Sequence, residues 1–241
     1  MAALGCVLVA TTGCDDLFNL EMVSLPPDGK PASTLVPVQT VTSQRDQAAL
    51  DMPVAHVIPM ISPTTPGHAL VIAAVVETSS FDITSITDDG GNEWLPVLEG
   101  QDPDEVADVR LEVWRSISHQ STSTVTVTIG NDRELGVIFT EWDLPGTVDG
   151  SLGGVYAETA MPVSGALTTG APALLLAAMA YKSGVPPMAS DPSFVSLNQA
   201  GLGGVNVGAW YRPLEAGTFD TSWTLPASAA TVTGLVAFTV E

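Results

Sequence analysis

Acidic side chains are the most abundant groups in this sequence that could perform chemistry: it has 27 Asp and Glu residues, seven Lys and Arg, and three histidines. Two carboxylates at a suitable separation are enough for hydrolysis of a glycosidic bond, in which one of them acts as the acid. The Gly-x-Ser-x-Gly turn that presents a nucleophilic serine does not occur. His56, His68 and His119 have no histidine or paired carboxylate nearby at the spacing of zinc ligands, so we interpret them as surface or strand-end residues.

The segment Glu141-Trp142-Asp143 is the best candidate for a carboxylate pair. It resembles the start of the Glu-x-Asp-x-Glu strand of jelly-roll glucanases, and strand alternation places Glu141 and Asp143 on one face. Position 145 is proline, so the third carboxylate of that motif is absent. We therefore predict no enzyme activity, with a jelly-roll glycoside hydrolase as an alternative, and interpret the segment as a strand that ends in a turn.

Two tryptophans on the polar faces of predicted strands favour a binding role. By alternation, each shares its face with polar or charged side chains and lies opposite the aliphatic residues of its strand. An exposed indole ring can stack on a sugar while neighbouring polar groups bind the hydroxyls. The alternative is that a second layer covers these rings, since large aromatic side chains are usually mostly buried. The candidate ligand-binding residues are Trp114, Trp210, Arg110, Glu112, Asn206 and Arg212.

One acidic turn could hold a metal ion. Asp88, Asp89 and Asn92 lie in the run Asp-Asp-Gly-Gly-Asn and supply the hard oxygen ligands that calcium prefers. The run does not match the EF-hand loop, and Asp and Asn are also the residues that tight turns use. We predict no cofactor, with a structural calcium ion at this turn as the alternative. We expect Trp94, just beyond it, to close the turn.

Composition limits the class of protein and its partners. A net charge of −20 with few, scattered basic residues argues against nucleic acid, because phosphate binding needs clustered Lys and Arg. With 45% hydrophobic residues the chain has enough apolar surface to fold.

The first residues are typical of an export signal. Residues 1–13 are uncharged and mostly apolar, too short to span a bilayer, and followed by Cys14. Small residues directly before a cysteine resemble the lipobox of bacterial lipoproteins, which implies cleavage before Cys14, lipidation of its thiol and attachment to a membrane. We expect an exported protein of the cell envelope, anchored at the outer membrane or cell surface, with residues 14–34 as a proline-containing tether.

Residues 35–241 are predicted to form an all-β domain. Short β-branched segments alternate with Gly, Pro, Asn and Asp, and no segment keeps a helical period. Their number favours a two-sheet antiparallel β-sandwich. The predicted strands are 35–43, 48–58, 69–77, 82–88, 109–117, 122–129, 135–142, 154–159, 173–182, 194–197, 205–212, 218–225 and 232–240.

A weak internal repeat runs through this domain. Four segments of the first half correspond in order to four of the second, at offsets of 104, 96, 96 and 99 residues. Two copies suggest two similar halves in one sandwich, although any two strands rich in Ala and Val look alike. The paired segments are 68–75 with 172–179, 113–115 with 209–211, 122–129 with 218–225, and 137–140 with 236–239.

The order of several short motifs resembles a family of bacterial extracellular β-sandwich modules. These motifs are a Gly-His-Ala-Leu-Val-Ile-Ala strand from Gly67, the Asp-Asp-Gly-Gly-Asn-Glu-Trp turn, a strand ending at Trp114, the Thr-Val-Thr-Val-Thr strand from Thr124, and a closing strand through Phe238. The resemblance implies a jelly-roll-like fold and an extracellular setting. It implies no reaction, so we expect a non-catalytic module that binds a glycan or a surface protein, with a purely structural spacer as the alternative.

Overall fold

The computed structural model describes residues 35–47, 52–78, 80, 82–104, 107–131, 133–202 and 204–240. The predicted signal segment 1–13, the lipidation residue Cys14 and the tether 14–34 lie outside the described residues. The described part of the chain is all β-structure, and it contains no helix of the length and apolar character needed to cross a membrane.

Seventeen strands occur among the described residues. The first half contains β1 (Gln39–Arg45), β2 (Val54–Pro59), β3 (Ala69–Val76), β4 (Ile83–Asp88), β5 (Trp94–Gln101), β6 (Arg110–Ile117), β7 (Thr124–Ile129) and β8 (Leu135–Trp142). The second half contains β9 (Val148–Thr159), β10 (Leu167–Thr169), β11 (Ala173–Tyr181), β12 (Met188–Ala189), β13 (Val195–Leu202), β14 (Val205–Leu214), β15 (Gly217–Phe219), β16 (Trp223–Thr224) and β17 (Ala229–Thr239).

These strands form five antiparallel sheets in the described residues. Inner sheet 1 has the order β1-β8-β3-β6-β5, and inner sheet 2 has the order β13-β14-β11-β17-β9. Outer sheet 1 is β2-β7-β4, and the outer pairs of the second half are β10-β15 and β12-β16. The all-β, sandwich-like class predicted from the sequence is therefore correct, and the sheets outnumber the two that we predicted.

Strand β3 shows why the sheets stack in layers. All eight residues of its Ala-Leu-Val-Ile-Ala-Ala-Val-Val sequence are buried, as expected of a strand covered on both faces. Val71 and its alternate neighbours contribute to the inner core between the two inner sheets, whereas Leu70 and its alternate neighbours face outer sheet 1. Strand β11 divides in the same way between the inner core and a third buried cluster under the outer pairs.

The inner core joins the two halves. Trp142 of β8 and Tyr211 of β14 meet across it with ring centroids 5.0 Å apart and planes at 68°. Such edge-to-face contacts add to the stabilisation that apolar burial provides. The two inner sheets therefore pack through a continuous apolar interface.

The two halves have the same strand order. Read from β9, inner sheet 2 runs β9-β17-β11-β14-β13, which matches β1-β8-β3-β6-β5 place for place. The segments that we paired from sequence on β3 and β11, on β6 and β14, and on β8 and β17 occupy equivalent places. The 104-residue offset, which aligns β3 with β11, is wrong in register. It pairs Ala69, which faces the inner core, with Ala173, which faces the buried cluster under the outer pairs.

Strand β5 is the clearest omission from the predicted strands. Trp94 starts this strand and is buried, and its Nε1 donates to Asp88 Oδ2 at 2.8 Å across the turn that we expected it to close. We did not predict a strand here because the segment contains Pro96 and Gly100, and proline and glycine are uncommon inside central strands. They are accommodated because β5 lies at the edge of inner sheet 1 and has a register shift at Pro96.

Candidate functional site

The two tryptophans predicted to bind a ligand lie on opposite sides of the molecule. Trp114 is half-buried on the side of inner sheet 1 that faces outer sheet 1, and its Nε1 donates to Glu112 Oε2 at 2.8 Å. Trp210 is only 3% exposed and packs on Trp223, with ring centroids 5.5 Å apart, in the core under the outer pairs. The inner core separates them, so they do not form one aromatic face, and Trp210 cannot stack on a sugar in this structure.

Arg110 and Glu112 form a buried ion pair. Glu112 is 1% exposed, and its Oε1 accepts from Arg110 Nε at 2.6 Å and from the Ile83 backbone N–H at 3.0 Å. The remaining guanidinium nitrogens of Arg110 donate to Gln101 and Glu99. Both side chains are thus occupied within the fold, where a buried charge requires a partner.

Asn206 and Arg212 are also bonded to the protein. Asn206 Nδ2 donates to the Ser183 carbonyl at 2.9 Å, and Arg212 Nη1 donates to Asp191 Oδ2 at 2.8 Å. The guanidinium of Arg212 lies 5.9 Å from the centre of the Phe219 ring. Of the six predicted ligand-binding residues, Arg110, Glu112 and Trp114 therefore form one bonded group in the first half, whereas Asn206, Trp210 and Arg212 lie in the second half.

The acidic turn uses its carboxylates as hydrogen-bond acceptors. Asp88 accepts from the backbone and side-chain nitrogens of Asn92 and from Trp94 Nε1, the last at 2.8 Å. Asp89 Oδ1 accepts from the Thr122 hydroxyl and from the backbone N–H groups of Ser123 and Thr124. These contacts, the Thr122 hydroxyl first, lower the pKa of the Asp89 carboxyl to about 2.

This geometry gives the turn a structural role. The three predicted calcium ligands hold the β4–β5 connection against the segment before β7. In the described parts of the chain, no group of three or more His, Cys, Asp or Glu side chains is placed to hold a metal ion.

A histidine between two carboxylates lies at one end of the first half. Glu141, near the end of β8, is 1% exposed; its Oε2 accepts from Gln39 Nε2 at 2.6 Å. Its Oε1 accepts from the Thr65 backbone N–H at 2.7 Å and lies 2.8 Å from His68 Nδ1. The other ring nitrogen of His68, Nε2, lies 3.5 Å from Oδ1 of Asp143, which is 87% exposed.

Strand register brings this His68 cluster (His68, Glu141 and Asp143) together. Leu70 of β3 pairs with Glu141 of β8, which places His68 directly beside the carboxylate. Our interpretation of His68 as an isolated strand-end histidine missed this contact, because 73 residues separate it from Glu141. Strand alternation correctly placed Glu141 and Asp143 on one face, and both contact the His68 ring. That alternation was the only feature of the sequence that pointed to this cluster.

A polar cleft lies between the edge strands β1 and β13. It has a volume of about 430 Å³ and is lined by Thr42, Ser43, Gln44, Gln199 and Ala200, all uncharged. Two of the lining side chains bond to residues on neighbouring strands. The Ser43 hydroxyl lies 2.7 Å from His56 Nε2, and Gln199 Oε1 accepts from the Tyr181 hydroxyl at 2.6 Å. Burial raises the pKa of Tyr181 to about 12.

Comparison with protein-family models, with curated proteins and with solved structures found no match for this chain.

Proposed function

We propose that this chain is a non-catalytic binding module of the cell envelope, and that the cleft between β1 and β13 holds a neutral glycan. The observation that carries the proposal is the cleft itself. Its volume of about 430 Å³ lies within the range of small-molecule sites, which is about 300–1,000 Å³.

The chemistry of the lining favours a neutral, hydroxyl-rich ligand. The amide nitrogens of Gln44 and Gln199 offer donors, and the hydroxyl of Thr42 can donate and accept. The Ser43 hydroxyl is bonded to His56, Gln199 Oε1 to Tyr181 and Gln44 Oε1 to the Gly201 N–H. A sugar hydroxyl can pair with donors and acceptors alike, since it donates and accepts at one atom. The net charge of −20 disfavours anionic polymers at the same surface.

No aromatic ring is among the residues that line the cleft, so we expect weak binding. Aromatic faces supply much of the apolar contact in ligand sites, and hydrogen bonds to neutral groups contribute only about 0.5–1.5 kcal/mol each. Display of many copies at a surface compensates for weak single sites through multivalency.

Export and anchoring are part of the proposal and rest on sequence. The apolar residues 1–13 followed by Cys14 support cleavage and lipidation at that cysteine. Mass spectrometry of protein from its native cells tests this: a chain that retains Met1 and an unmodified Cys14 thiol contradicts it.

The finer fold classification is likewise proposed. Each half has one five-stranded sheet facing smaller sheets across a buried cluster, which supports two jelly-roll-like sandwiches related by an internal repeat.

Titration of the protein with neutral oligosaccharides, followed by NMR of the backbone amides, tests the binding proposal. Gln44→Ala and Gln199→Ala should each weaken binding about fivefold to tenfold, because each removes hydrogen bonds from the cleft. Gln120→Ala is the matched control, since Gln120 is exposed in a loop outside the cleft. Glycan binding that neither cleft variant weakens would exclude this cleft as the site.

A structural spacer is the second candidate. It is favoured by the burial of Trp210 and by the protein partners of Arg110, Glu112, Asn206 and Arg212. The spacer predicts that no oligosaccharide shifts the amide signals of residues 42–44 or 199. A glycosidase is disfavoured, because the Glu141 carboxylate is buried and already accepts three hydrogen bonds.

A further inference from the structure

We propose that Glu77 is a proton-binding switch at the contact between the two halves, and that it strengthens this contact as the solution becomes acidic. Glu77 and Glu134 of the first half and Lys182 of the second half form this Glu77 junction. The junction shares no residue with the β1–β13 cleft, so the proposal is independent of glycan binding.

Strand register places Glu77 and Glu134 opposite each other at one end of inner sheet 1. The last residue pair of β3 and β8 is Val76 with Leu135, and just beyond it the Glu77 backbone N–H donates to the Glu134 carbonyl at 2.9 Å. Val76 and Leu135 belong to the buried cluster under outer sheet 1, so alternation turns Glu77 and Glu134 toward the second half. Like charges directly opposite each other on neighbouring strands are destabilising.

The second half meets this pair with a lysine and a glycine. Lys182 follows β11, and its Nζ lies 3.9 Å from Glu77 Oε1. The N–H of Gly204, the residue before β14, donates to Glu134 Oε2 at 3.1 Å. A Cβ atom on Gly204 would lie 2.9 Å from Glu77 Oε1 and 3.0 Å from Glu134 Oε2. The two oxygens are therefore less than about 6 Å apart, a range in which one carboxylate raises the pKa of another.

These surroundings favour the neutral form of Glu77. Its side chain is 26% exposed, and burial raises the pKa of this carboxyl above its ordinary value of 4.5, with the charge of Glu134 as the second cause. Lys182 and Arg133 oppose that rise, whereas Asp108 adds to it. Within the described part of the chain, these four are the charged groups that act on Glu77. The carboxyl therefore binds a proton more tightly in the folded chain than in the unfolded one.

Tighter proton binding by the folded chain makes the Glu77 junction stronger in acid. For a carboxyl whose pKa is raised on folding, the stabilisation is complete below the pKa of the unfolded chain and is lost as pH rises through the higher pKa of the folded chain. A proton on Glu77 removes the repulsion from Glu134. The resulting O–H group can also donate to a carboxylate oxygen, which is one of the stronger kinds of hydrogen bond.

A pH titration of the full chain, followed by NMR of the Glu77 carboxyl carbon, tests the proposal. We expect an apparent pKa above 4.5 in the unaltered chain. Glu134→Gln should lower that pKa, because it removes the like charge and keeps an oxygen acceptor for the Gly204 N–H. Lys182→Met should raise it, because it removes the cation. Glu215→Gln is the matched control and should leave it unchanged, since Glu215 is an exposed glutamate just beyond the other end of β14.

Denaturation of Glu77→Gln at several pH values tests whether the proton strengthens the fold. Because its side chain is neutral at every pH, this variant should be more stable than the unaltered chain at neutral pH, and the difference should shrink as pH falls. The proposal is overturned if Glu77 of the unaltered chain titrates at or below 4.5, a measurement that needs no variant to fold. It is also overturned if Glu134→Gln leaves the pKa of Glu77 unchanged, or if Glu77→Gln follows the pH dependence of the unaltered chain.

Discussion

Gly100 and Gly154 face each other across the gap between the edge strands β5 and β9. A Cβ atom on Gly100 would lie 2.4 Å from Gly154 Cα and 2.7 Å from a methyl group of Val232. Both distances are shorter than any carbon contact allows, so the edges of the two inner sheets approach this closely only because Gly100 has no side chain.

Gly100→Ala should therefore destabilise the protein by about 1–3 kcal/mol, the usual cost of forcing an extra carbon into a packed site. Chemical denaturation measures this directly. Gly184→Ala is the matched control, because a Cβ atom there would meet nothing within 4 Å. Equal stability of both variants would show that β5 and β9 do not lie in contact.

Asp89 should make stability depend on pH at the acid end. Its pKa is lowered from 3.8 to about 2, chiefly by the Thr122 hydroxyl and then by the N–H groups of Thr124 and Ser123. A carboxyl whose pKa is lower in the folded state contributes stability that is complete above about pH 4 and is lost as pH falls through about 2.

Asp89→Asn should accordingly lower stability at neutral pH and reduce its decline between about pH 4 and pH 2. Denaturation curves at several pH values measure both effects, with Asp220→Asn as the control for removing an exposed charge. If Asp89→Asn shows the same acid dependence as the unaltered chain, the contacts with Thr122, Ser123 and Thr124 do not form.

The two arginine pairs should differ in strength because they differ in burial. Arg110→Ala leaves the buried Glu112 carboxylate without its charged partner, which should cost about 3–5 kcal/mol. Arg212→Ala breaks a pair whose two side chains are 33% and 37% exposed, and should cost no more than about 1 kcal/mol. Comparable losses in urea denaturation would contradict the placement of Glu112.

Trp210→Ala should be far more damaging than Trp114→Ala. Removing a fully buried indole costs about 3–5 kcal/mol, and Trp210 is 3% exposed against Trp223. Trp114 is only half-buried, so its removal should cost less. The free energies of unfolding of the two variants provide the comparison, and a smaller loss for Trp210→Ala would mean that its ring is not covered.

The sequence contained much of the fold because the central strands are buried on both faces. The apolar runs of β3 and β11 have no other stable placement, and both were predicted within a residue of their ends. Edge strands were harder: β5 contains Pro96 and Gly100, and residues 148–153 of β9 include two glycines, so neither segment has a strand-like composition.

The candidate sites were less predictable because they depend on contacts between distant segments. Alternation correctly placed Trp210 opposite Val207 and Ala209, but it cannot show that Trp223 covers the ring. The pairing of His68 with Glu141 needed the register of β3 on β8, and the cleft needed two edge strands from different halves.

The matching strand order of the inner sheets has a consequence for either half on its own. Each would expose the apolar surface that now meets its counterpart, including Val71 and Val75 on one side and Leu174 and Leu176 on the other. A separately expressed half would leave that apolar surface exposed to water, and exposed apolar patches of this kind promote association. Joining both halves in one chain keeps the two surfaces together at any protein concentration.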